Sequence, residues 1–168
     1  MNRYTVAVLV RNQFGVLNRL TSMFRRRQFN ISSITASESE SGDYSRITFS
    51  FDGEENGKQQ LINQLYKLPD VCSIKELSTD NSLSLELMLI KLKNDVSSRE
   101  DIRAAAEAFK AETIDYTKES IVLRVIGDST KMDEFISLMR DFTILEICRT
   151  GTASIEKGSA TLRQNLNL

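Results

Sequence analysis

Two hydrophobic periods take turns along this chain. Residues 3–10, "RYTVAVLV", form a near-continuous apolar and β-branched run and predict a buried strand. Over 15–28 the spacing changes. Val16, Leu17, Leu20, Met23 and Phe24 recur at i, i+1, i+4, i+7 and i+8 and share one face of a helix. Arg25, Arg26 and Arg27 close that helix, where cations complement the C-terminal dipole at a solvated end. "NISSITASE" (30–38) predicts a strand, and "SESGDY" (39–44) a polar turn. Residues 44–51 alternate, placing Ser45, Ile47, Phe49 and Phe51 on one face. After the loop 52–57, Leu61, Ile62, Leu65 and Leu68 form a second helical stripe. The only proline, Pro69, stands where a stop is expected. "VCSIKEL" (71–77) closes a βαββαβ order.

The order then repeats after a polar linker, residues 78–82. Leu83, Leu85, Leu87 and Leu89 alternate strictly. Ser97 and Glu100 have capping-box spacing. Ile102, Ala105, Ala106 and Phe109 form a helical stripe. Residues 113–117 and 120–126 read as a short-looped strand pair. Met132, Phe135, Ile136 and Met139 form another stripe, and "ILEICR" (144–149) ends the unit. Residues 151–168 are polar without clear periodicity and read as a tail, mobile at its end. The expected class is therefore α+β, with two tandem ferredoxin-like domains over 1–77 and 83–150. In each, the helices cover one sheet face, and the other face needs a cover from the chain or from a second copy.

Composition narrows the chemistry. The chain has 168 residues, is 40% hydrophobic and carries a net charge of −1, so nothing draws it to nucleic acid or acidic lipid. No apolar run reaches the roughly 18–20 residues of a membrane span, and the N-terminus goes straight into a β-pattern. Cys72 and Cys148 sit in apolar strand patterns and read as small buried hydrophobes of a reduced, cytoplasmic compartment, with a disulfide as the alternative. There is no histidine. Ser–His and Cys–His nucleophile pairs are thus excluded, and zinc on two cysteines is improbable.

One loop stands apart. "VRNQFGVLNRL" (10–20) puts Asn12 and Gly15 where a strand turns into a helix. The first N–H groups of a helix lack intrahelical partners and carry partial positive charge, which suits a carboxylate. Gly15 permits close approach to the backbone. The Asn12 amide offers an oxygen to an ammonium and an NH₂ to a carboxylate, the two charged ends of an α-amino acid. Asn30 falls at the far end of the same helix. A second copy of the domain would have to bring it, or the segment around Ile31, to the ligand. The plain alternative is a loop in which Asn12 caps and Gly15 relieves strain.

"VRNQFGVLNRLTSMFRRRQFNISSITAS", followed by "DYSRITF", resembles the ACT domain of the acetolactate synthase (acetohydroxyacid synthase) small regulatory subunits. "LELMLIKL", "STKMDEFISLM", "FTILEICRTG" and "ASIEKG" are similar to that family's second domain and closing segment. The resemblance runs through nearly the whole chain. It implies a homodimer that binds a feedback inhibitor, usually valine, at the ACT interface. Asn12, Gly15 and Val16 match the ligand loop, and Asn30 and Ile31 match the strand that closes the site from the neighbouring subunit. It also implies a separate catalytic large subunit that carries thiamine diphosphate, magnesium and usually FAD. This chain would activate that subunit and confer feedback control on it, with no catalytic residue or cofactor of its own.

Three positions depart from the family pattern. Arg11 replaces a commonly acidic residue, Phe14 a proline or small residue, and Lys157 the basic residue of an Arg–Gly pair. The first two bear on which amino acid is preferred. A tandem RNA-binding reading shares the fold order, but it needs exposed paired aromatics, and Phe49 and Phe51 are expected to face the core. The paired acids Glu54/Glu55 and Asp115/Glu119 fall in turn-like segments and read as solvated surface.

Overall fold

A computed structural model describes residues 2–166, in two compact units. The first comprises residues up to Leu83 together with those from Thr152 onward, and the second is Ser84–Gly151. The first contains β1 (Asn2–Arg11), α1 (Val16–Arg26), β2 (Ile31–Glu38), β3 (Tyr44–Gly53), α2 (Glu55–Leu65) and β4 (Val71–Leu77). Its sheet has the antiparallel order β2-β3-β1-β4. The second repeats the plan with β5 (Ser82–Lys93), α3 (Arg99–Ala108), β6 (Glu112–Tyr116), β7 (Ser120–Gly127), α4 (Ser129–Met139) and β8 (Ile144–Arg149). Its order is β6-β7-β5-β8. Both are the ferredoxin-like βαββαβ arrangement.

The apolar stripes build the two cores. In the first unit, Val6, Val8 and Val10 of β1 meet Leu20, Met23 and Phe24 of α1, Leu61 and Leu65 of α2, and Ile47, Phe49 and Phe51 of β3. Phe49 and Phe51 are fully buried, so the aromatics that an RNA-binding surface would display are spent on packing. In the second, Met88, Ile90 and Leu92 pack against Ile102, Met132, Phe135 and Met139. The core therefore uses the other row of β5 from the alternating leucines. Leu83 and Leu85 are more than half exposed, and Leu87 and Leu89 only half-buried. Both rows of β5 are apolar, so period-two spacing alone could not choose the inward one.

The mobility expected at the chain's end falls outside the described residues; residues 151–166 are not the unstructured polar tail that their sequence suggests. They contain β9 (Ala153–Glu156) and a 3-10 turn (Leu162–Asn165) closed by a reciprocal Thr161–Gln164 capping box. Leu162 is buried with Ala7, Leu9 and Leu77 on the sheet face opposite the helices. Polar contacts hold the segment there. Arg46 donates to the Ser154 carbonyl, and Lys75 pairs with Glu156 at 3.2 Å. Arg163 pairs with Glu40 at 3.2 Å and lies over the Tyr44 ring. Lys157 donates from its backbone to Asn81 and from its side chain to the Thr79 and Asp80 carbonyls. Among the described residues of this mostly polar segment, one buried leucine gives no periodicity to detect. With both faces of its sheet covered, β1 reads as a continuous apolar run.

Two smaller expectations also fail. Both cysteines are free; Cys72 is half-buried, but Cys148 is exposed. It pairs with Leu89, on the row of β5 that the core does not use. The N-cap of α3 is Ser98, without a side-chain cap, rather than Ser97. Among the described residues, no helix is long and apolar enough to cross a membrane.

Candidate functional site

The loop between β1 and α1 is held from both sides by backbone hydrogen bonds. Arg11 N–H donates to the Asp70 carbonyl at 2.9 Å, and Asn12 N–H to that of Asp43 at 2.8 Å. Gln13 N–H returns to Arg11 at 2.9 Å, which tightens the turn and leaves Phe14 fully exposed. Gly15 then takes φ of 81°, in the left-handed region that a side chain enters only at a cost. It is the N-cap of α1. No side chain caps that helix, and its first turn holds no acidic residue. The partial positive charge of this N-terminus therefore meets no carboxylate from its own first turn, as an anion site requires.

Asn12 is not an idle amide. Its NH₂ donates to the Gly42 carbonyl at 3.0 Å and to Glu38 at 3.4 Å, and its oxygen accepts from Ser45 at 3.1 Å. All three partners lie on β2, β3 or the turn between them. The amide thus positions the hairpin, and a ligand would reach it through the oxygen's second lone pair or by exchanging partners. Val16 is buried in the core, so its side chain is out of a ligand's reach, and its N–H donates to the Gln13 carbonyl at 3.4 Å. Asn30 is exposed and Ile31 is half-buried at the start of the edge strand β2. Eleven helical residues separate them from Gly15, about 16 Å along the axis. Asn12, Gly15 and Val16 therefore come together within the chain, whereas Asn30 and Ile31 stand apart from them.

Two groups went unnoticed in the sequence. Asp70, almost buried, accepts from Arg19 Nε at 2.6 Å. The same guanidinium turns back over the loop: a Cβ on Gly15 would meet Arg19 Nη1 at 3.2 Å. Arg19 lies four residues after Gly15, one turn along α1, so its proximity was readable. Asp70 lies 51 residues further on and was not. On the turn side, Glu40 is held below the ordinary carboxylate range by its own backbone N–H and then by Arg163. The turn that Asn12 fastens is thus also fastened to the closing segment.

Comparison with known proteins covers nearly the whole chain. Residues 6–73 match the AHAS small subunit-like ACT domain, and residues 85–158 match the model described as the small subunit of acetolactate synthase. The chain is 38% identical over 157 residues to a probable acetolactate synthase small subunit of Archaeoglobus fulgidus, spanning 94% of this chain and 98% of that one. It is 39% identical over 155 residues to the acetolactate synthase small subunit of Bacillus subtilis, spanning 92% and 90%. The crystal structure of the small subunit from Thermotoga maritima superposes with a TM-score of 0.85 at 31% identity, covering 95% of this chain and all of that one.

Proposed function

This chain belongs to the acetolactate synthase small-subunit family, and we propose that it is a non-catalytic regulatory subunit that senses a branched-chain amino acid, valine first. The observation that supports this most is the β1–α1 loop. In a chain matched over more than nine-tenths of its length by small subunits, that loop presents an uncapped helix N-terminus behind a left-handed glycine, beside the Asn12 amide. An α-carboxylate fits the helix end. The ammonium fits the Asn12 oxygen, and the apolar side chain fits the surface around Ile31 of a second copy. On this reading two ACT units pair so that Asn30 and Ile31 of one complete the loop of the other. The partner is a large subunit carrying thiamine diphosphate, magnesium and FAD, and the complex works in the cytoplasm. Inhibition then requires valine to favour one arrangement of that complex over another, a coupling of about 1–3 kcal/mol.

Calorimetric titration of the purified chain with valine, leucine and isoleucine tests the sensing role, with sedimentation giving the oligomeric state. A saturable heat with at least one of them, on a dimer, is expected. No binding by any of the three at millimolar concentration would overturn the site. Mixing with the cognate large subunit tests the regulatory role. The chain alone should make no acetolactate from pyruvate and should raise the large subunit's rate.

A further inference from the structure

Arg19 is in an electrostatically awkward place. It lies in the first turn and a half of α1, near the positive end of the helix dipole, where cations are disfavoured. Asp70 is its ionic partner, and that carboxylate engages Nε at 2.6 Å. An arginine carries five N–H donors in a rigid fork that matches a carboxylate. One terminal nitrogen faces the loop: Nη1 lies 3.2 Å from the point where a side chain on Gly15 would begin. The side chain is about two-fifths exposed. Asp70 is itself fixed, nearly buried and bonded through its carbonyl to Arg11. The arrangement aims a charged fork across the face of the glycine.

Resting on the sensing role proposed above, we propose that Arg19 is a ligand-binding residue whose terminal N–H groups take one oxygen of the amino acid's α-carboxylate, the backbone N–H groups at the start of α1 taking the other. Asp70 is the positioning residue that holds the fork over Gly15. This also gives Gly15 a second role. Besides adopting φ of 81°, it lets the guanidinium lie close over the loop, where a Cβ would crowd Nη1 at 3.2 Å.

The test is a titration of the full-length chain with L-valine and L-valinamide, which keeps the ammonium and the isopropyl group but lacks the carboxylate. Wild type should prefer valine, and Arg19→Gln should bind valine roughly 10- to 100-fold more weakly, the range for a hydrogen bond to a charged group. Valinamide, already weak, should be unaffected, so the preference collapses. Arg19→Lys should recover part of it. Asp70→Asn, which keeps the guanidinium, should lose less than Arg19→Gln. Unchanged valine affinity in Arg19→Gln, or an equal loss for both probes, overturns the assignment to the carboxylate. If Arg19→Gln does not fold, the valine-to-valinamide ratio of Arg19→Lys decides: a wild-type ratio overturns the proposal and a reduced one supports it. A wild type that binds none of the branched-chain amino acids removes the sensing site itself, an outcome distinct from the loss of Arg19's part in it.

Discussion

Asn12 and Asn94 occupy the same place in two units built alike. Each follows the last residue of the unit's first strand. Arg11 and Lys93 donate to the carbonyls of Asp70 and Thr143 at 2.9 Å, and Asn12 and Asn94 donate to those of Asp43 and Glu119 at 2.8 and 2.9 Å. A bulky apolar residue then stands exposed in each loop, Phe14 in one and Val96 in the other. From there the loops part. The first has left-handed Gly15 and no acid in the opening turn of its helix, while the second has Ser97 and puts Glu100 and Asp101 into that turn. Asn94 is buried, donating to the Thr117 carbonyl and accepting from Arg99 at 2.8 Å, whereas Asn12 is exposed. The backbone clasp belongs to the fold. What differs between the two helix ends is whether the first turn supplies its own carboxylates.

The sharpest way to break this contrast is Gly15→Asp, which gives the first loop an internal carboxylate facing Arg19. Valine binding should fall at least about 100-fold, nearly 3 kcal/mol, while the αL strain costs about 1–2 kcal/mol of stability. Calorimetry and circular dichroism check both, and a variant that binds valine normally would put the ligand elsewhere. The second contrast lies in the outer sheet faces, since the first unit's is covered by the chain's closing segment. Leu162→Ala should destabilise the protein by about 2–3 kcal/mol, the low end for a buried leucine, seen as a lower urea midpoint. Third comes the asparagine pair. Asn12→Ala should weaken valine binding by about 1.5–3 kcal/mol, and Asn94→Ala should lower stability by about 1–3 kcal/mol without touching binding. The reverse outcome would put the receptive loop in the wrong unit.

The smallest effect concerns Glu40. Its folded pKa is lowered, so its bonds to its own backbone and to Arg163 stabilise the protein above the ordinary carboxylate range. That contribution is lost as pH falls through the folded pKa. The urea midpoints of wild type and Glu40→Gln should therefore differ slightly at pH 7 and converge in strong acid.

The fold was legible because each of the four helices carries one apolar stripe and the strands between them are short runs bounded by polar turns. It failed on β5, which is apolar on both faces, and on the closing segment, which is anchored by Leu162 and scattered polar contacts. Helix stops were only half visible. Gln28 and Lys110, just past α1 and α3, take left-handed φ values of 58° and 53° where glycine would have announced the turn. In the site, Asn12 and Gly15 were readable from local chemistry. The Asn12 contacts to Gly42, 30 residues away, and the Arg19 contact to Asp70 required the folded chain. Cutting the chain after Thr79 to isolate the sensing half looks natural in the sequence. It would strip Leu162 and its neighbours from Ala7, Leu9 and Leu77. Replacing Ser84–Gly151 with a short glycine–serine linker avoids this, because Asn81 and Lys157 are already hydrogen-bonded.

The return of residues 152–166 to the first unit has a consequence for synthesis. In chain order the second unit is an insertion, so the unit begun first is completed last. At roughly 5–20 residues per second, the ribosome needs several seconds to translate Ser84–Gly151 before the segment bearing Leu162 can emerge. For that interval the β1–β4 sheet exists with its helix-side core available and its other face, Ala7, Leu9 and Leu77, open to water. That nascent intermediate is the state in which the chain is most exposed to chaperones, proteases and self-association, and the closing segment ends the exposure when it folds back.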